Sequence, residues 1–133
     1  MPLNQDFQNN NFDIDLEFGI NNEKRICEIL EGGSKIEVKT ERDIWKKTGN
    51  IVIEYKNGNT PSGISITEAE YWVHNLTYKD KMVFSFIFPV EKIKKLIKEM
   101  TKKGFTAKAS GGDFGKSKMI FLPIRKLVNH LFL

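Results

Sequence analysis

The chain has 133 residues, 40% of them hydrophobic and 29% charged, enough for one domain with a buried core. Lysine and arginine total 21 against 17 aspartates and glutamates; the net charge of +4 suits a nucleic-acid partner without demanding one. The single cysteine, Cys27, excludes an intrachain disulfide and a cysteine-built zinc site, and no apolar run is long enough to span a membrane. The amino terminus lacks the basic-then-apolar pattern of a secretion signal, so a cytoplasmic protein with no membrane partner is expected.

Residues 1–13 are polar and asparagine-rich and read as a flexible arm, leaving 14–133 as a single domain. Residues 14–18 suggest a short extended segment. A helix follows over about 22–31, capped by Asn21 or Asn22, with Ile26, Ile29 and Leu30 inward, Cys27 in the core, and Gly32-Gly33 as the stop. Two strand-like runs come next, residues 36–39 and 50–56. Alternation puts Ile36 and Val38 on one face of the first and Glu37 and Lys39 on the other. In the second, Ile51, Ile53 and Tyr55 oppose Glu54 and Lys56. If residues 40–49 turn the chain back, a hairpin centred near Trp45 sets Glu37 across from Glu54.

Residues 57–63 break the sheet. Thr67 to Glu70 then fit a capping box, with Ile66 and Tyr71 as a hydrophobic staple, and Ala69, Trp72, Val73 and Leu76 at helical spacing. Residues 82–88 form a continuous apolar strand of the kind buried on both faces at the centre of a sheet. A helix over 91–103 turns Ile93, Leu96, Ile97 and Met100 inward and its lysines outward. A hairpin of residues 105–109 and 118–122 follows, and a short helix from 123 or 124 carries Leu127, Val128 and Leu131. The alternation predicts a mixed α/β (α+β) fold, a central mixed sheet flanked by helices.

Two carboxylates directly opposed on a bare sheet repel each other. Glu37 and Glu54, each with a lysine two residues on (Lys39 and Lys56), make more chemical sense around a divalent metal ion, as a phosphodiester-cleaving site requires. The competing reading is a solvated strand face, the commonest meaning of such alternation. Around this patch Trp45, Lys46, Lys47, Thr48, Asn50 and Ser62 are candidate nucleic-acid contacts: an aromatic to stack, two cations, and turn hydroxyls and amides for phosphate. His74 and His130 lack partners at ligand spacing and read as structural or surface residues.

Helix, strand, strand with acid-x-Lys, helix, strand resembles the core of the PD-(D/E)xK nucleases, nearest to the junction-resolvase branch. Residues 37–40 (EVKT), 48–50 (TGN), 53–55 (IEY), 61–64 (PSGI) and 68–72 (EAEYW) also resemble small phage-encoded proteins of that pattern. The resemblance implies a restriction-endonuclease-like fold and a Mg²⁺-dependent endodeoxyribonuclease, structure-specific for junction or branched DNA, in phage DNA recombination or processing within the host cytoplasm. It implies metal binding by Glu37 and Glu54, with Glu23 of the first helix matching a helical glutamate in position, and a lysine that orients the attacking water. Two registers are open. Either Glu37 is the lone acid and Glu54-Tyr55-Lys56 the acid-x-Lys, or Glu37-Val38-Lys39 is the acid-x-Lys and the lone acid is Asp13, Asp15 or Glu17. The resemblance also implies action as a homodimer, for which the apolar tail from Leu127 is a candidate contact. The alternatives are a nuclease-like module that binds nucleic acid without cutting, and a phage host-interaction protein.

Overall fold

Nothing between residues 12 and 30 breaks a helix: there is no proline, and the one glycine, Gly19, costs only about 1 kcal/mol. The computed structural model, which describes residues 12–130, accordingly has one helix, α1, over Phe12–Leu30. The expected extended segment at 14–18 is therefore helical; its five-residue alternation is too short to outweigh helix propagation. Asn22 is not a cap but a mid-helix residue whose amide donates to the Phe18 carbonyl at 2.8 Å. The glycine stop is as expected: Gly32 adopts φ +85° and Gly33 N–H bonds back to Glu28 O at 2.8 Å. Cys27 is exposed rather than in the core. The chain divides into two units, Met1–Ser34 and Lys35–Leu133. The expected boundary between arm and domain falls inside α1, and most of the expected arm lies outside the described residues.

The second unit is mixed α+β, with its strands shared between two sheets. β1 (Ile36–Glu41) leads through a short helix, α2 (Ile44–Thr48), to β2 (Asn50–Asn57) and the two-residue β3 (Thr60–Pro61). β4 (Tyr71–Tyr78), β5 (Lys81–Pro89) and α3 (Val90–Lys102) follow, then β6 (Ala107–Gly111), β7 (Ser117–Pro123) and α4 (Ile124–Asn129). One sheet has the order β1-β4-β5, with β1 parallel to β4; the other is antiparallel in the order β3-β2-β7-β6.

The expected hairpin between β1 and β2 is absent. Gly49, at φ +73°, closes α2, and the two strands join different sheets. Residues 71–78 form a strand, not a helix. Tyr71, Trp72, Val73, Thr77 and Tyr78 are aromatic or β-branched, and burial alternates so that Trp72, His74 and Leu76 point inward. The Thr67 hydroxyl accepts from Ala69 N–H two residues on, at 3.2 Å, which makes a local turn rather than a helix cap. β4 thereby takes the central place expected of β5. β5 is an edge strand, and Met82, Val83 and Phe84 on it are exposed. α3, the β6–β7 hairpin and α4 follow the sequence expectation.

The core joins one face of the four-stranded sheet to Trp72, Leu76 and Phe88 of the other sheet. Ile51, Ile53, Ile120 and Leu122 are covered by Ile93, Leu96 and Met100 of α3 and Leu127 of α4. Each such side chain contributes about 1.5–3 kcal/mol by leaving water. Leu127 thus serves the protein's own interior; residues 131–133 lie outside the described residues.

Candidate functional site

β1 turns its charged face toward the interior. Glu37, Lys39 and Glu41 are in register with Trp72, His74 and Leu76 of β4 and share their side of the sheet, while Val38 on the other side is 50% exposed. Glu41, the third member of this row, accepts from the His74 ring at 2.5 Å and from Val52 N–H at 3.0 Å, both at Oε2. Val52 lies on β2 beyond the reach of the short β3, so Glu41 supplies the acceptor that a neighbouring strand would otherwise provide. One carboxylate therefore ties the two sheets together.

The tautomer of His74 follows from its other neighbour. Trp72 Nε1–H, which can only donate, points at His74 Nδ1 from 3.1 Å. Nδ1 must then accept, the ring proton sits on Nε2, and His74 donates it to the Glu41 carboxylate. His74 is fully buried, and its contact with Glu41 is a hydrogen bond from a ring N–H to a carboxylate oxygen.

Beside this network, between β1 and β2, opens a cleft of about 690 Å³. Its lining includes four carboxylates (Glu41, Asp43, Glu54 and Asp80) against two cations, Lys39 and Arg42. Glu54 reaches it from β2 and accepts a hydrogen bond from the Ser117 hydroxyl at Oε1. The loop behind Glu54 is built for close approach: a Cβ on Gly63, at φ +52°, would lie 2.2 Å from the Glu54 carbonyl oxygen. Ser62 N–H secures that loop to Tyr55 O at 3.0 Å.

The expected site residues separate accordingly. Lys39 and Glu54 meet in the cleft; Glu37 is not among its lining residues and instead holds the Lys39 ammonium at 3.0 Å. Burial raises the Glu37 carboxyl, but hydrogen bonds from Thr67 and Lys39 and the Lys39 charge outweigh it and hold the group below its ordinary value of 4.5. Lys56 leaves the set. Glu54 pairs with Met119 but Lys56 with Lys118, so a bulge at Tyr55 turns Lys56 to the opposite face of the sheet from Glu54. Glu23 is an exposed residue of α1. Of the alternative acids, Glu17 is also exposed on α1, and the side chains of Asp13 and Asp15 are not among those described.

Trp45 is buried rather than displayed at a hairpin tip. Its Nε1–H donates to Thr77 O at 2.6 Å, and its ring meets Phe84 edge-on at 6.0 Å. The aromatic that does stand in solvent at a hairpin tip is Phe114, 95% exposed. Lys46 and Lys47 are exposed, Lys46 lying over the Tyr78 ring at 3.9 Å. The Thr48 hydroxyl donates to Ile44 O and accepts from Asn50 N–H, so it serves the turn. The Ser62 hydroxyl is buried without a partner, which removes it as a surface contact for phosphate. Sequence reasoning undervalued Glu41 and His74. The available signal was that Glu41 extends the alternation of Glu37 and Lys39 by one more step.

Among the described residues no three His, Cys, Asp or Glu side chains form a ready metal cage. Mg²⁺ needs less than that, since one or two carboxylates suffice when water and phosphate complete the shell. The bonds to Glu41 fall on Oε2 and the bond to Glu54 on Oε1, leaving one oxygen on each for a cation. Glu41 bonds Val52, and Val52 and Glu54 lie on one face of β2 about 7 Å apart. Both carboxylates line one cleft, and carboxylate oxygens are donors of the kind Mg²⁺ and Mn²⁺ take. No family model matches the chain, and neither curated proteins nor solved structures include a match. No helix among the described residues is long and apolar enough to cross a membrane.

Proposed function

We propose that the chain is a metal-dependent endodeoxyribonuclease whose working cleft is formed by Lys39, Glu41 and Glu54. The observation that carries this reading is the convergence of a lysine and two carboxylates, each carboxylate with one free oxygen, on a cleft whose charged side chains sum to a formal −2. Such a cleft repels a phosphodiester on its own and admits one once a divalent cation is present. Bound Mg²⁺ or Mn²⁺ would supply positive charge for the reacting phosphate.

The chain's own groups do the rest. Glu37 fixes the Lys39 ammonium over the cleft, where it can donate to the attacking water or to a non-bridging phosphate oxygen. His74 and Val52 N–H hold Glu41 in one orientation, as outer hydrogen bonds commonly do for ligand carboxylates. Lys46, Lys47 and the exposed Phe114 are the surface groups available to DNA, Phe114 being suited to stack on an unpaired base. A specificity for branched DNA and a place in phage recombination inside the host cytoplasm belong to this proposal through the sequence resemblance alone.

A second copy is the partner a paired-strand cut calls for. Among the described residues no strand covers the outer edge of β5, where Met82, Val83 and Phe84 are exposed, and a long apolar edge of this kind invites strand pairing. That surface, rather than the tail, is the proposed two-fold contact; sedimentation of the natural protein against Phe84→Lys tests it.

The nuclease reading is tested by incubating the protein with linear and branched DNA in Mg²⁺ or Mn²⁺. Cleavage is expected, with Lys39→Ala and Glu54→Gln each slowing it by about 100-fold or more. Absence of cleavage with salt-sensitive binding retained favours the non-catalytic module. The observation on that side is that Glu41 and Glu54 already have structural work, to Val52 and Ser117.

A further inference from the structure

The reverse of the four-stranded sheet carries a feature the cleft does not use. Two adjoining hollows of about 290 and 340 Å³ share Ile64, Ser65 and Ile97, so they form one groove between the sheet and α3. Its floor is isoleucine and the ring of Tyr55; Lys94, Lys98 and Lys108 line it, all three exposed, and no carboxylate does. Lys108 Nζ lies 5.6 Å from the Tyr55 ring centroid. Ile120, which lines the groove, pairs with Ile53, whereas Glu54 pairs with Met119. Neighbouring residues of a strand point to opposite faces, so groove and cleft are on opposite sides of this sheet.

We propose that this groove binds a single strand of nucleic acid. Three ammonium groups unopposed by any acidic lining residue call for a polyanion. Lys94 and Lys98 stand one helical turn apart, about 6 Å along α3, a separation comparable to that of successive phosphates on an extended strand. The apolar floor with an aromatic ring suits the face of a base, which a duplex keeps stacked away and a single strand offers. The Ser65 hydroxyl adds a donor for a sugar or phosphate oxygen. The groove is a holding surface distinct from the cutting cleft, and its occupancy does not depend on hydrolysis.

The test measures anisotropy of a fluorescent oligothymidine of about 12 nucleotides in EDTA, over a series of salt concentrations. Substituting Lys94, Lys98 and Lys108 by Gln is expected to weaken binding and to reduce the slope of log K against log salt by about 2, from roughly 0.7 per phosphate. A control of equal charge, Lys92→Gln and Lys102→Gln on the same helix with Lys103→Gln just after it, is expected to change the slope by less than half as much. Tyr55→Leu is expected to weaken binding on the order of tenfold with the slope unchanged. Glu54→Gln is expected to leave binding intact, so failure of the cleft reading does not touch this one. Equal losses in the two lysine triples would reduce the groove to diffuse surface charge and overturn the proposal. So would absence of oligonucleotide binding, or a groove-dependent preference for anionic lipid vesicles or an acidic peptide.

Discussion

Replacing His74 by alanine probes the Trp72–His74–Glu41–Val52 chain directly. The ring is fully buried, so its loss leaves the Trp72 indole N–H, itself almost wholly buried, with no acceptor, at about 1–3 kcal/mol. Glu41 loses a charge-assisted bond worth about 1.5–3 kcal/mol, part of which returns as water reaches the emptied space. Lost packing adds to this, and a total of about 3–5 kcal/mol is expected. For a chain of this size that corresponds to a Tm lower by roughly 12–20 °C. Urea unfolding followed by circular dichroism measures it, with an unchanged m-value showing that the same surface is exposed. In the cycle with Trp72→Phe, the second substitution should cost about 1–2 kcal/mol less in the alanine background, because its orphaned donor is gone. A His74→Ala loss below about 1 kcal/mol, or a cycle that is purely additive, would refute the network.

Glu37→Gln should lower stability at pH 7 by only about 0.3–0.5 kcal/mol, since the pair with Lys39 is partly solvated. Because the folded-state carboxyl titrates below its ordinary 4.5, its stabilising contribution is complete above 4.5 and disappears as pH falls through the lower folded value. The gap between the two proteins in urea midpoints should close on acidification. Gly63→Ala should cost at least about 1–3 kcal/mol, as the positive φ is strained for alanine and its Cβ would meet the Glu54 carbonyl; a Tm equal to that of the natural protein would contradict the close approach. Both tryptophans are buried, so acrylamide should quench the native fluorescence weakly and uniformly. A readily quenched half of the emission would place Trp45 in solvent after all.

What was legible in the sequence was mostly local. The stripe of α3, the Gly32-Gly33 stop and the β6–β7 hairpin each announce themselves through spacing or backbone permissiveness, and each is where expected. The alternation of β1 was legible too, but alternation does not say which face turns inward. Here Val38 is outside and Glu41 inside, because a charged side chain with a buried histidine and a free strand-edge amide to bond can be taken into the interior. The helix expected after Thr67 failed because its cap residues form a turn and the aromatic, β-branched run beyond them pairs with β1 from 35 residues away. Lys56 was misplaced by one bulge, which no periodicity of two can reveal. The fold class survived these errors; the composition of the site did not, since it depends on which sheet each strand joins.

Under the proposed function, Glu41 and Glu54 hold a divalent cation between them beside Lys39. Titration of the protein with Mn²⁺, read by electron paramagnetic resonance or calorimetry, tests it without any substrate. One site is expected, weakened tenfold or more by Glu54→Gln and by Glu41→Gln, whose amide oxygen can still accept from His74 and Val52 and keep the fold. Glu23→Gln is expected to bind as the natural protein does. Undetectable Mn²⁺ binding, or binding indifferent to both cleft substitutions, would contradict it.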